Sequence, residues 1–171
     1  MGPKLFGGIL LAVTLFVSPA NANTITIKGF WPGGVISEFM QFWEAVGASG
    51  DDVAVDGACA SACTFLLAYV PEDRICITGR ASFGFHEVSS GDNVDPVMTP
   101  VYSRMFYPPW VMGYIKAHGG LQEDPLWMPP EDMLGHLHVC PGATVVPQDG
   151  LLAPAAPEPS GAQQPGAHGR P

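Results

Sequence analysis

Asp52-Val53-Ala54-Val55-Asp56-Gly57-Ala58-Cys59-Ala60-Ser61-Ala62-Cys63-Thr64-Phe65-Leu66-Leu67-Ala68-Tyr69 joins two kinds of secondary structure within eighteen residues. Its opening, residues 52–56, sets Val-Ala-Val between aspartates and reads as a short buried strand. Residues 61–69 begin small and continue as Thr-Phe-Leu-Leu-Ala-Tyr, which fits a buried helix entered through a tight turn and stopped by Pro71. A strand that yields to a helix within a few residues is the repeating unit of an α/β protein.

The flanks repeat the unit. Residues 24–28, Thr-Ile-Thr-Ile-Lys, alternate and are β-branched, so they predict a strand. A loop, Gly-Phe-Trp-Pro-Gly-Gly, occupies 29–34. Apolar residues at 35, 36, 39, 40, 43 and 46 then mark a helix over 35–46. Downstream, 74–78 and 81–86 predict two more strands around Gly79, and 87–95 is a polar loop. A helix over 99–117 is disturbed at Pro108-Pro109 and stopped by His118-Gly119-Gly120. A short helix over 131–137 and an edge strand over 139–146 complete the pattern. It predicts one α/β domain of repeated strand–helix units, mainly parallel strands and right-handed crossovers.

The two ends are of another kind. Lys4, the apolar run 5–17 and Ser18-Pro19-Ala20-Asn21-Ala22 have the order of a signal peptide, with cleavage expected after Ala22. An uncleaved membrane anchor is the competing reading of residues 1–22. Residues 147–171 are Pro, Ala, Gly and Gln with almost nothing to bury, the composition of a disordered tail. The domain is therefore placed at 23–146, room for one core. Loss of Lys4 takes the formal charge from −9 to −10. That balance argues against nucleic acid and anionic lipid as partners, and no membrane association is expected after cleavage. The compartment expected is the periplasm or the exterior of a bacterium. There Cys59, Cys63, Cys76 and Cys140 would form two disulfides, with all three connectivities open. A Cys63–Cys76 bond, one of the options, would contribute about 3 kcal/mol in the chain-entropy model.

Three features carry chemistry. Ser61 lies between Ala60 and Ala62 where strand passes to helix, a place that needs small neighbours if a nucleophilic hydroxyl is to stand clear. Helix amides beyond it suit an anion, although a helix N-cap is the plain alternative. Gly33 and Gly34, after Trp31-Pro32, let backbone N–H groups approach a reacting carbonyl, as an oxyanion hole requires; a simple turn is the alternative. His86 ends the strand Ser82-Phe83-Gly84-Phe85, and imidazole is the side chain best suited to take a serine proton near neutral pH; a structural histidine after an apolar run is the alternative.

Taken in order, Pro32-Gly33-Gly34, then Gly57-x-x-x-Ser61, then His86 resemble the Clp protease proteolytic subunit and its exported relatives within the crotonase-like fold. The spacing of 25 residues from Ser61 to His86 matches that family, and the likeness covers roughly 25–137. The Cys-Ala-Ser-Ala-Cys block is similar to a group of bacterial periplasmic Clp-like proteins. The resemblance implies Ser61 as nucleophile, His86 as general base and Gly33 or Gly34 with the Ala62 amide as oxyanion hole. It implies an acid at Asp124, with Glu123 and Asp132 as fallbacks, although Pro125 departs from the pattern. The chain is short for stacked rings of subunits, and homo-oligomerisation is left open. Pinned in disulfides, Cys59 and Cys63 would stiffen the turn; a free thiol there would be redox-sensitive.

The resulting expectation is an exported serine hydrolase, a peptidase by resemblance, acting on a peptide or small acyl substrate without metal or organic cofactor. A catalytically silent binding or assembly module of the same fold is the alternative. A third reading puts zinc on His136, His138 and Cys140, which alternate and would share one strand face. The aromatic run 106–110 fits either ordinary packing or a groove or partner surface.

Overall fold

The computed structural model describes residues 22–91 and 93–146. Most of the expected leader and the whole expected tail lie outside them. The chain runs β1 (Thr24–Trp31), α1 (Ile36–Ser49) and β2 (Asp52–Ala60), then a 3₁₀ turn over Ser61–Phe65 and α2 (Leu66–Tyr69). A second 3₁₀ turn, Glu72–Arg74, leads to β3 (Ile75–Ile77) and β4 (Ser82–Phe85). The hairpin β5 (Ser89–Ser90) and β6 (Asn93–Val94) precedes α3 (Met98–Phe106) and α4 (Pro109–Ala117). Next come β7 (Leu126–Met128), a 3₁₀ turn at Pro130–Met133 and β8 (His138–Val139).

β2 is the axis of a six-stranded sheet. β1 runs parallel to it in step from Thr24↔Asp52 to Trp31↔Cys59. The other edge of β2 is shared: Val53–Val55 pair with β3 and Ala58–Ala60 with β4, both parallel. β8 continues the sheet beyond β3 in parallel, and β7 beyond β4 in antiparallel sense. The domain is thus mixed α/β with mainly parallel pairing, as the alternation predicted.

The sheet stands on one core. Val53, Val55 and Cys59 alternate inward along β2 and join Ile27, Ile75, Ile77, Phe83 and Phe85, while α1 contributes Trp43 and Val46 at helical spacing. Gly50 closes α1 in the left-handed region (φ 85°). Arg74 donates to the carbonyls of Gly47 (2.8 Å) and Asp51 (3.2 Å), tying that end of α1 to β3. Asp56 accepts from Thr78 and from Arg80, at 2.6 Å in each case. These bonds hold its carboxyl below the usual carboxylate range, that from Thr78 first.

Several elements differ from expectation. β2 extends through Ala60 instead of stopping at Asp56, because both its edges are paired. The 61–69 helix is a 3₁₀ turn followed by one α turn. The 99–117 helix is two helices, parted at Tyr107, which is extended (φ −106°, ψ 126°) ahead of Pro108. Over 131–137 only the 3₁₀ turn Pro130–Met133 forms, and the strand expected over 139–146 shrinks to His138–Val139.

The disulfides join Cys59 to Cys63 and Cys76 to Cys140; the Cys63–Cys76 option is not the one adopted. β8 beside β3 brings Cys140 within 4.8 Å (Cα–Cα) of Cys76. Two disulfides belong to an oxidising, non-cytoplasmic compartment. Among the described residues no helix is long and apolar enough to cross a membrane. The Cys76–Cys140 bond closes a separation of 64 residues. Replacing both cysteines by alanine is expected to lower unfolding free energy by about 4 kcal/mol in urea denaturation.

Candidate active site

Three parallel strands deliver three of the predicted residues to one edge of the sheet. Trp31 pairs with Cys59, so Gly33 and Ser61 each lie two residues beyond a matched pair. Ala60 pairs with Gly84, so Ser61 and His86 lie one and two residues beyond another matched pair. In parallel sheets the edge at which strands end is where loops converge and ligands bind.

Ser61 has φ 57°, the only positive φ among the described non-glycine residues. A serine there costs about 1–2 kcal/mol relative to right-handed backbone. Ala60 before it is still extended (φ −117°, ψ 159°), and the 3₁₀ turn begins at Ser61 itself. The chain therefore folds back sharply at the serine. Gly33 (φ 84°) fills the space above the bend. A Cβ on Gly33 would come within 2.6 Å of the Ser61 Cβ and 2.8 Å of both the Ala60 oxygen and the Ala62 nitrogen. Only glycine allows that approach.

Ser61, Ala62, Gly34 and His86 line one small cavity, of about 60 Å³, with Ile36, Phe65 and Tyr107 among its apolar walls. His86 Nδ1 is 2.6 Å from the Glu87 carbonyl. A carbonyl only accepts, so in the neutral ring Nδ1 carries the proton and Nε2 is the bare nitrogen. The peptide that bears this carbonyl is itself fixed, its Val88 N–H donating to Thr99 Oγ1 at 3.0 Å. A general base needs that tautomer.

Asp124 is exposed and lines neither the small cavity beside Ser61 nor an outer cleft beside His86 that Glu87 and Ser89 also line. Glu123 shares an outer cleft with His86, Glu87 and Ser89. Asp132 lies near Tyr114, whose hydroxyl donates to the Trp127 carbonyl at 2.8 Å. The zinc set does not assemble. Strand covers only His138–Val139, so the alternation over 136–140 does not hold, and Cys140 is committed to Cys76. His136 instead stacks on Trp110, with ring centroids 4.6 Å apart. Among the described residues no group of three metal-ligating side chains is present.

A polar chain beneath the bend has no counterpart in the residue pattern. Thr64 Oγ1 donates to the Ser61 carbonyl at 2.6 Å, which uses its only proton. The Tyr107 hydroxyl, 3.2 Å from Thr64 Oγ1, is then the donor to it. Tyr107 sits edge-on to Phe85 with centroids 5.0 Å apart, and Phe106 beside it stacks on Phe65 at 4.1 Å. Burial pushes the Tyr107 phenol up to about 12. It stays neutral and able to donate at any physiological pH.

No protein-family model matches this chain, and no curated protein matches it. Among solved structures the chain is similar to a peptidase from Plasmodium falciparum, with a TM-score of 0.37 and 9% identity. The alignment covers 67% of this chain and 75% of that one.

Two outcomes check this geometry. Gly33→Ala meets left-handed strain and backbone overlap together, so thermal melts should show a loss on the order of 3 kcal/mol. At alkaline pH the folded Tyr107 keeps its proton longer than the unfolded chain does. Its contribution is full below the unfolded pKa of 10.0 and is lost as pH rises through about 12. Unfolding curves for Tyr107→Phe should accordingly fall less between those two pH values than wild-type curves, and tyrosinate absorbance should report the same titration.

Proposed function

We propose that this protein is an exported serine hydrolase that cleaves an amide or ester bond. Its substrate is a peptide or a small acyl compound. One observation carries the reading: a serine in left-handed backbone shares a cavity with a histidine whose Nδ1 is fixed on a carbonyl. The order Pro32-Gly33-Gly34, Gly57…Ser61, His86 and its resemblance to Clp proteolytic subunits of crotonase-like fold favour a peptide. The leader-like residues 1–22 and the two disulfides favour export to a periplasm or the exterior.

In this scheme Ser61 Oγ attacks the substrate carbonyl as His86 Nε2 takes its proton. The Ala62 amide and the Gly33–Gly34 backbone donate to the oxyanion. Collapse of the tetrahedral species breaks the bond to the amine or alcohol, which leaves with the proton from Nε2. Water, deprotonated by the same nitrogen, then frees Ser61 from the acyl group. The Glu87 carbonyl orients the imidazole, and Asp124 takes no part.

Labelling with a fluorophosphonate tests the proposal. Wild-type protein should label stoichiometrically and Ser61→Ala not at all, while His86→Ala should label at least about a hundredfold more slowly. Asp124→Asn should label at close to the wild-type rate; a steep fall would instead make Asp124 the orienting acid. Wild-type protein inert to a panel of such probes would overturn the hydrolase reading in favour of a silent binding module.

A further inference from the structure

We infer that the Cys59–Cys63 disulfide is a clamp that positions Ser61 for reaction, and that holding the fold together falls to the other bond. The catalytic part of this inference rests on the hydrolase reading of Ser61. Cys59 cannot shift, because it is paired on both sides, with Trp31 of β1 and Phe83 of β4. Cys63 is fixed within the 3₁₀ turn, and both cysteines are 0% exposed. Ser61 is the midpoint of the loop they close.

Chain geometry links the bond to the backbone of the serine. Four residue steps of extended chain would separate Cys59 and Cys63 by about 13 Å, beyond the roughly 7 Å a disulfide can bridge. The observed Cα–Cα distance is 5.4 Å. With Ala60 still extended, the reversal that brings them together falls on Ser61 (φ 57°). Relaxation of Ser61 to extended backbone would pull the two sulfurs apart, so the intact bond opposes it. Glycine would adopt this φ freely, but glycine has no hydroxyl to offer. A nucleophile at this position therefore needs an outside hold, and the Thr64 bond to the Ser61 carbonyl adds only a single hydrogen bond.

The same numbers argue against a mainly global role. The stabilisation from a cross-link grows with the loop it closes. Cys59–Cys63 spans a separation of 4 residues, against 64 for Cys76–Cys140. Complete burial also shields the clamp from reductants, which makes it a permanent fixture of the oxidised protein.

The test compares the signal-cleaved wild type, C59A/C63A and C76A/C140A, all made under oxidising conditions. It reads kinact and KI for a fluorophosphonate, hydrogen exchange over residues 57–66, and Tm. For C59A/C63A we expect kinact to fall by about a hundredfold with KI near wild type, because the serine is misplaced while the cavity persists. Exchange should quicken over 57–66 and Tm should fall less than in C76A/C140A. The latter should keep wild-type kinact below its lowered Tm. Wild-type kinact or unchanged exchange in C59A/C63A would overturn the clamp, as would failure of that variant alone to fold. An inert wild type would remove the hydrolase reading, and exchange would then decide the clamp by itself.

Discussion

Parallel pairing of β2 along both of its edges sets the position of everything at the site. β1 covers one edge in step from Thr24 to Trp31, and β4 holds the last three residues of the other. The segments leaving Trp31, Ala60 and Phe85 must therefore meet at the same end of the sheet. Those segments are Pro32-Gly33-Gly34, Ser61 and His86. A one-residue slip would turn alternate side chains to the opposite face and separate the three. Register is held by the inward row Val53, Val55 and Cys59, and by Gly57, where a Cβ would run into the backbone of Gly29. The glycine pair costs conformational entropy and permits an approach that no larger residue would allow.

Much of this order was legible because periodicity reports burial. The β-branched alternation at 24–28 and the helical spacing at 35–46 each locate an element whose partner lies in the core. Gly57-Ala58-Cys59-Ala60 hid the second half of β2, since small residues have weak strand preference and only the neighbouring strands make them one. The C-terminal strand is shorter than its residues suggest for the converse reason. Val139 and Val145-Val146 look like strand, but Pro141-Gly142 interrupts them. Cysteine pairing was closed to sequence reading because it obeys strand order, and β8 lies beside β3 across a long excursion through β4, α3, α4 and β7.

At the site, residue types were legible and backbone was not. Ser61, His86 and Gly33 stand out by chemistry and small neighbours. The left-handed turn at Ser61, the Thr64–Tyr107 chain and the Glu87 carbonyl do not, because a dihedral angle or a peptide oxygen leaves no mark on residue identity. Tyr107 shows how the two kinds of information meet. Its place before Pro108 breaks the helix, and the break turns its ring toward the cavity wall shared with Ser61.

Orientation of His86 by a carbonyl has consequences that differ from those of a carboxylate. Both acceptors fix the proton on Nδ1 and leave Nε2 to take one, so the tautomer is secured either way. The loss of about 10⁴ in turnover seen when a triad acid becomes an amide is assigned chiefly to the wrong tautomer, and a carbonyl avoids that loss. It lacks a full negative charge, however, and so stabilises the imidazolium formed in the transition state less than an acid does. The wall around Ser61 is apolar at Ile36, Phe65 and Tyr107, which lowers the local dielectric and strengthens what the carbonyl dipole supplies. On the proposed hydrolase reading, a Ser61–His86 pair of this construction would give up part of the rate of a full triad, and it would be free of a buried carboxylate that the fold would otherwise have to solvate.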